Sequence, residues 1–214
     1  MRAVAILAFV LGVTASSAEA ATLVTFTGNA TGALATGTAS IMLDGSGNSI
    51  TGTLTNTSPF DARITGFGFD IGPGNLAGYI GTPDPIIMPV GVNFDFRDDD
   101  LGNVPQFNSV VLDFGYVTGP NPSFTSGFPN EGLAPSQMLN FMVSGSFAGL
   151  TEQEIASALV VRFQRVGANG ELSDVAVAGS PGTPTPFSSV PEPASMVLLG
   201  SGLAYLARRK YKAE

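Results

Sequence analysis

Residues 21–178 are a succession of short Thr/Val/Ile/Leu-rich runs separated by turn chemistry, and that pattern admits little besides a β fold. Strands are expected at Thr22–Thr27, 33–43, 49–57, 64–71, 90–96, 110–116, 139–147, Leu159–Val166 and 171–178. Asp44-Gly45-Ser46-Gly47-Asn48 and Ala168-Asn169-Gly170 supply hairpin connections. In 64–71 strict alternation puts Ile64, Gly66, Gly68 and Asp70 on one face and Thr65, Phe67, Phe69 and Ile71 on the other, the glycines allowing a facing group to approach closely. Thr151 and Glu154 have capping-box spacing, which predicts a short helix over 152–158. Eight or nine strands with regular turns predict a two-sheet sandwich or a jelly roll. The expected fold class is therefore all-β with one short helix. Low charge, 12%, beside 44% apolar residues argues for a packed core over disorder.

What the chain lacks excludes whole chemistries. It has no Cys, no His and no Trp, so disulfides, thiolate and imidazole catalysis and an ordinary zinc site are removed together. Between residues 21 and 190 the cations are Arg63, Arg97, Arg162 and Arg165, with no Lys, against fourteen acids, a net charge of −10. Nucleic acid is not an expected partner of so acidic a surface.

The two ends carry different signals. Residues 1–20 have the order of a signal peptide: Arg2, an apolar run from Ala3 to Val13, and an Ala18-Glu19-Ala20 site for signal peptidase, so the mature chain is expected to begin at Ala21. Residues 179–190 form a Pro/Gly/Ser/Thr linker that disfavours helix and sheet alike. In 191–214, Pro191-Glu192-Pro193 precedes an apolar stretch at 194–207 and the basic cluster Arg208-Arg209-Lys210. That stretch is expected as a short transmembrane helix, with the basic cluster as a cytoplasmic stop and the β domain outside the cytoplasmic membrane. Fourteen residues reach only about 21 Å as a helix, against a hydrocarbon core of about 30 Å.

Val190-Pro191-Glu192-Pro193-Ala194-Ser195, the apolar segment with Gly200 and Gly202, and the terminal basic cluster resemble the PEP-CTERM sorting domain over about residues 188–211. The segments 54–71 and 161–179 also resemble recurrent stretches of proteins that carry this tail, and bring no catalytic residues with them. The resemblance implies recognition near Pro-Glu-Pro by an exosortase, a membrane-embedded, Cys-dependent transpeptidase-like enzyme. It further implies passage through the cytoplasmic membrane to the cell surface or an extracellular polysaccharide matrix.

Three candidate sites stand out in the β domain. Asp95, Asp98, Asp99 and Asp100, with Asn103 nearby, offer the oxygen ligands that Ca²⁺ prefers, although Ser109 stands where an EF-hand opening at Asp98 would need Glu; a solvated acidic loop tip accounts for the same residues. Fifteen Phe and four Tyr invite a carbohydrate-binding reading, but Trp is absent and Phe67, Phe69 and Phe163 sit in core patterns; the loop 120–129 is the better exposed candidate. Asp70, Asp95, Asp113 and Glu131 supply carboxylates for hydrolysis, with no spacing that singles out an acid and a base. The expected function is that of a non-enzymatic surface or matrix protein; the alternatives are a carbohydrate-binding or calcium-dependent adhesion module and a secreted hydrolase.

Overall fold

The computed structural model describes residues 21–178, apart from 29–33, 73–78, 82–86, 99–100, 102–103, 105–106, 108–109, 121–122 and 168. Among the described residues the strands are β1 (Thr22–Thr27), β2 (Thr36–Leu43), β3 (Ser49–Asn56), β4 (Arg63–Phe69), β5 (Ile80–Gly81), β6 (Phe94–Asp98), β7 (Phe114–Thr118), β8 (Met138–Ser144), β9 (Leu159–Val166) and β10 (Leu172–Val177). They form two antiparallel five-stranded sheets. Sheet A has the order β1-β2-β3-β8-β5 and sheet B the order β10-β9-β4-β7-β6. The expected all-β, two-sheet domain is present, and β1 and β9 have the bounds the sequence predicts. A 3-10 turn at Pro129–Glu131 and the two-residue β5 are additions that no sequence pattern marks.

Alternation decides what each sheet buries. Val24, Phe26, Ala39, Ile41, Ile50, Leu54, Leu139, Phe141 and Val143 of sheet A share one core with Ile64, Phe67, Phe69, Phe94, Phe114, Tyr116, Leu159, Val161 and Phe163 of sheet B. Rings interlock between the sheets. Phe141 lies 5.1 Å from Phe67 and 6.1 Å from Phe69, and Phe26 lies 6.0 Å from Phe163. The Tyr116 hydroxyl donates to the Met142 carbonyl at 2.8 Å, so the one polar atom on that ring is satisfied across the core. Each such ring contributes roughly 2–3 kcal/mol on burial. The expectation that Phe67, Phe69 and Phe163 are core residues is met.

The facing of β4 differs from strict alternation. A register shift between Ile64 and Gly66 inserts one residue opposite β9, where Ile64 pairs with Phe163 and Gly66 with Arg162. The bulge turns Ile64 to the same side as Phe67 and Phe69, and all three join the core. Gly66 and Gly68 stay on the outer face and do allow a close approach. A Cβ on Gly66 would stand 3.1 Å from the Phe124 ring, and one on Gly68 would stand 2.9 Å from the Leu112 methyl. With Gly115 opposite Gly68, these glycines make a low floor under a second core of Leu101, Val104, Leu112, Val117, Phe124, Val160 and Val175. Sheet B is consequently buried on both faces, while sheet A is buried on one.

The short helix α1 (Glu152–Ser157) ends one residue before its expected limit. Its capping box is complete: Thr151 Oγ1 accepts from Glu154 N at 3.2 Å, and the Glu154 carboxylate accepts from Thr151 N at 2.8 Å. Those bonds, the backbone N–H of Thr151 foremost and its hydroxyl next, hold the Glu154 carboxyl below its ordinary pKa. Glu152 does more than favour the helix start. It accepts from Leu43 N at 2.8 Å and from Thr22 Oγ1 at 3.3 Å, fixing α1 to β2 and β1.

The expected transmembrane helix is corrected. No helix among the described residues is long and apolar enough to cross a membrane. The stretch 194–207 lies outside the described residues, and its length gives the physical reason: at about 21 Å it does not reach across a core of about 30 Å. The assignment of membrane anchoring through that helix falls with it. The signal segment with Ala18 and Ala20, the motif Pro191, Glu192 and Pro193, and the cluster Arg208, Arg209 and Lys210 also lie outside the described residues.

Candidate functional site

The acidic segment begins on β6, at the free edge of sheet B. Asp95 and Asp98 are three residues apart in a strand, so they point to opposite faces. Asp95 shares the outer face with Arg97 and pairs with it, Oδ2 to Nη2 at 3.2 Å. Asp98 lies opposite Phe114 at the end of β6, and its charge acts on Tyr79. Asp99 and Asp100 lie outside the described residues. Among the described residues no three His, Cys, Asp or Glu side chains come together as a metal-binding group.

Tyr79 is the most perturbed acid near this edge. Burial pushes its hydroxyl up to about 12, and the neighbouring carboxylates of Asp113 and Asp98 add to the effect. The ring packs 4.4 Å from Phe114 and 5.4 Å from Phe147, so the residue serves the core. Asp113 accepts from Ile71 N at 2.7 Å, closing the chain after β4. Asp70 lines an open depression of about 330 Å³ with Gln153, Glu154 and Ser157 of α1. Glu131 ends the 3-10 turn, and its Oε2 is buried. These carboxylates are thus distributed over separate elements.

Aromatic rings are committed to packing. Phe124, expected in an exposed loop, is 1% exposed and covers Gly66 in the second core. Phe128 is the one exposed ring among the described residues. Loop 120–129 is expected as a contact surface because loops carry binding more often than strand interiors do; the glycine floor on sheet B is the signal that something apolar settles there.

Under the same loop lies a residue that sequence reasoning passed over. Arg162 is 6% exposed, between Gly66 and Val175 on the outer face of sheet B, and its Nη1 donates to the Phe124 carbonyl at 3.0 Å. Loss of hydration brings it down to about 10. Its position holds the loop and presents no open cation to a ligand.

On the opposite side of the molecule, the outer face of sheet A has a depression of about 320 Å³ lined by Ala21, Ser40, Met42, Thr51, Thr53 and Asn140 beside the backbone of Gly52 and Phe141. Its exposed surface is mostly apolar, although Ser40, Thr51, Thr53 and Asn140 are among the residues that line it. Among the described residues no titratable side chain lines it.

Comparison with known families decides the tail. Residues 189–210 match the PEP-CTERM protein-sorting motif. This is an exported, PEP-CTERM-sorted protein. The match contains Pro191, Glu192 and Pro193 together with Arg208, Arg209 and Lys210, the residues on which the resemblance rests. No curated protein and no solved structure matches the chain. The PEP-CTERM motif makes the chain an exosortase substrate by class and directs it towards the cell surface. The β domain of this PEP-CTERM protein is described by its own geometry alone.

Proposed function

We propose that this PEP-CTERM protein is a non-enzymatic component of the cell surface or of an extracellular polysaccharide matrix. In this reading residues 1–20 are removed by signal peptidase after Ala20, 21–178 are the functional body, 179–190 are a spacer, and 191–214 are the sorting tail cut by exosortase near Pro191-Glu192-Pro193. The observation that carries the proposal is the sorting match over 189–210, standing directly behind a Pro/Gly/Ser/Thr spacer. The β domain supports it in a weaker way: among the described residues every ring but that of Phe128 is at least partly packed, and the depression on sheet A is lined by uncharged residues.

Intact-mass measurement of the protein recovered from its native host tests the reading. The expected product begins at Ala21 and ends near residue 190, with any added mass marking a glycan or lipid joined at the new C-terminus. Recovery of a chain that still holds both 1–20 and 191–214 at the cell surface would overturn it.

A further inference from the structure

Two dipeptides of the β domain have the composition for an intramolecular cyclisation, Asp44-Gly45 between β2 and β3 and Asn169-Gly170 between β9 and β10. In each, the side-chain carbonyl carbon can reach the backbone nitrogen of a residue with no Cβ in the way. Asn169 is the only Asn in the chain that Gly follows. Local bonds separate the two. The Asp44 carboxylate accepts from Ser46 Oγ at 2.7 Å, Asn48 N at 2.7 Å and Ser49 N at 3.1 Å. Those bonds, the Ser46 hydroxyl foremost and Ser49 N next, hold the carboxyl below its ordinary pKa, and an ionised carboxylate is a poor acceptor of a nucleophile. Asn169 lies beyond the β9–β10 ladder, which closes at Val166 and Leu172. It is exposed, and its side-chain amide makes no hydrogen bond among the described residues. Gly170 has a φ of +69°, and its N–H donates to the Gly167 carbonyl at 3.2 Å, the long limit of such bonds. That bond can open without disturbing the ladder.

We infer that Asn169 is a site of spontaneous deamidation in the folded protein, with water as the only co-reactant. Gly170 N gives its proton to hydroxide and forms a bond to Asn169 Cγ. The Cγ–Nδ2 bond breaks, and the expelled nitrogen takes a proton from water and leaves as ammonia. Water then opens the five-membered succinimide ring. Addition at Cγ restores the normal backbone with Asp at 169. Addition at the main-chain carbonyl carbon of residue 169 leaves an isoaspartyl link, in which the chain runs through the former side chain. Both products add one negative charge to a body that carries −10. The new carboxylate arises beside a cation, since a Cβ on Gly170 would stand 3.5 Å from Arg165 Cβ. Arg165 reaches Asp61 only at 3.6 Å, so the product offers it a second acid. The ammonia is lost, and the altered form therefore accumulates with the age of the molecule.

The test is incubation of the purified full-length chain at 37 °C and pH 6, 7 and 8, followed by denaturation, trypsin digestion and mass spectrometry. Cutting after Arg165 yields a fragment from Val166 whose only side-chain amide is that of Asn169, so a gain of one mass unit there assigns the residue. The inference requires that gain, isoaspartate in the product as read by an isoaspartate-specific methyltransferase, and a rate at least fivefold higher at pH 8 than at pH 6. It also requires a rate in the folded chain within tenfold of the rate in urea. A slower folded rate would mean that the Gly167 bond shields the site and would overturn the inference, as would a fragment of constant mass. Asn169→Gln, which would have to close a six-membered ring, should keep both the circular dichroism of the parent and its own mass through the incubation. An equal gain in that variant would count against the inference. Asp44 is the internal comparison: isoaspartate forming there as fast as at residue 169 would defeat the argument from local bonds.

Discussion

Arg162 shows how a single side chain can be retained at a cost. Its guanidinium is buried, draws one carbonyl bond from Phe124, and has no carboxylate within ion-pair distance among the described residues. Removing a charge from water costs several kcal/mol, and one neutral acceptor does not offset that. Arg162→Met keeps the length of the stem and removes the charge. It should stabilise the domain by about 1–2 kcal/mol, raising the Tm by roughly 3–6 °C in a calorimetric scan. An unchanged or lower Tm would mean that the Phe124 bond outweighs the desolvation. Gly115 makes the opposite case. A Cβ there would stand 2.7 Å from Gly68 Cα and would also press on the Phe67 carbonyl, both backbone atoms that cannot rotate away. The glycine is fixed by closeness of strands, since its neighbour across the ladder is also Gly.

At the scale of elements, α1 is a six-residue helix whose ends matter more than its middle. Thr151→Ala removes the acceptor for Glu154 N and should cost about 1 kcal/mol in urea unfolding. The bond from Glu154 back to Thr151 strengthens only the ionised carboxylate. Its contribution is therefore present above the ordinary carboxylate pKa and lost as pH falls through the lowered one. Legibility in the sequence followed the same division between local and distant causes. The α1 cap, the Asp44 hairpin and the bounds of β1 and β9 were readable because the residues that determine them are neighbours in the chain. The Asp44 hairpin shows this well, since Asp44 accepts from Asn48 N at 2.7 Å and Ser49 N at 3.1 Å. Strands β6 and β7 were placed two to four residues early, because apolar Val90, Val110 and Leu112 imitate strand residues while serving turns and the second core. The bulge in β4 was unreadable, for nothing near Thr65 announces that Phe163 on a distant strand will set its facing. Of the candidate sites, the acidic run was visible as composition. Its division between two faces needed the strand, and the uncharged face of sheet A needed the pairing of four strands that are not all consecutive.

For the molecule as a whole, the placement of its few cations has a bearing on survival outside the cell. Enzymes of the trypsin type cut after Lys or Arg and prefer exposed, unpaired segments. From residue 21 to 190 there is no Lys, and Arg63, Arg97 and Arg162 have backbones paired in the ladders of sheet B, whereas Arg165 is exposed at a bulge in β9 with a positive φ and no ladder partner. Arg162 lies beneath a loop as well, and Arg63 and Arg165 both reach Asp61. Limited digestion of the processed chain, 21 to about 190, with trypsin should therefore spare Arg63, Arg97 and Arg162 and cut first at Arg165, while an enzyme that cuts after Leu should find Leu34 at an exposed position. A protein laid down among its neighbours' secreted hydrolases would thus offer those that cut after a cation little beyond one bulge at a strand end.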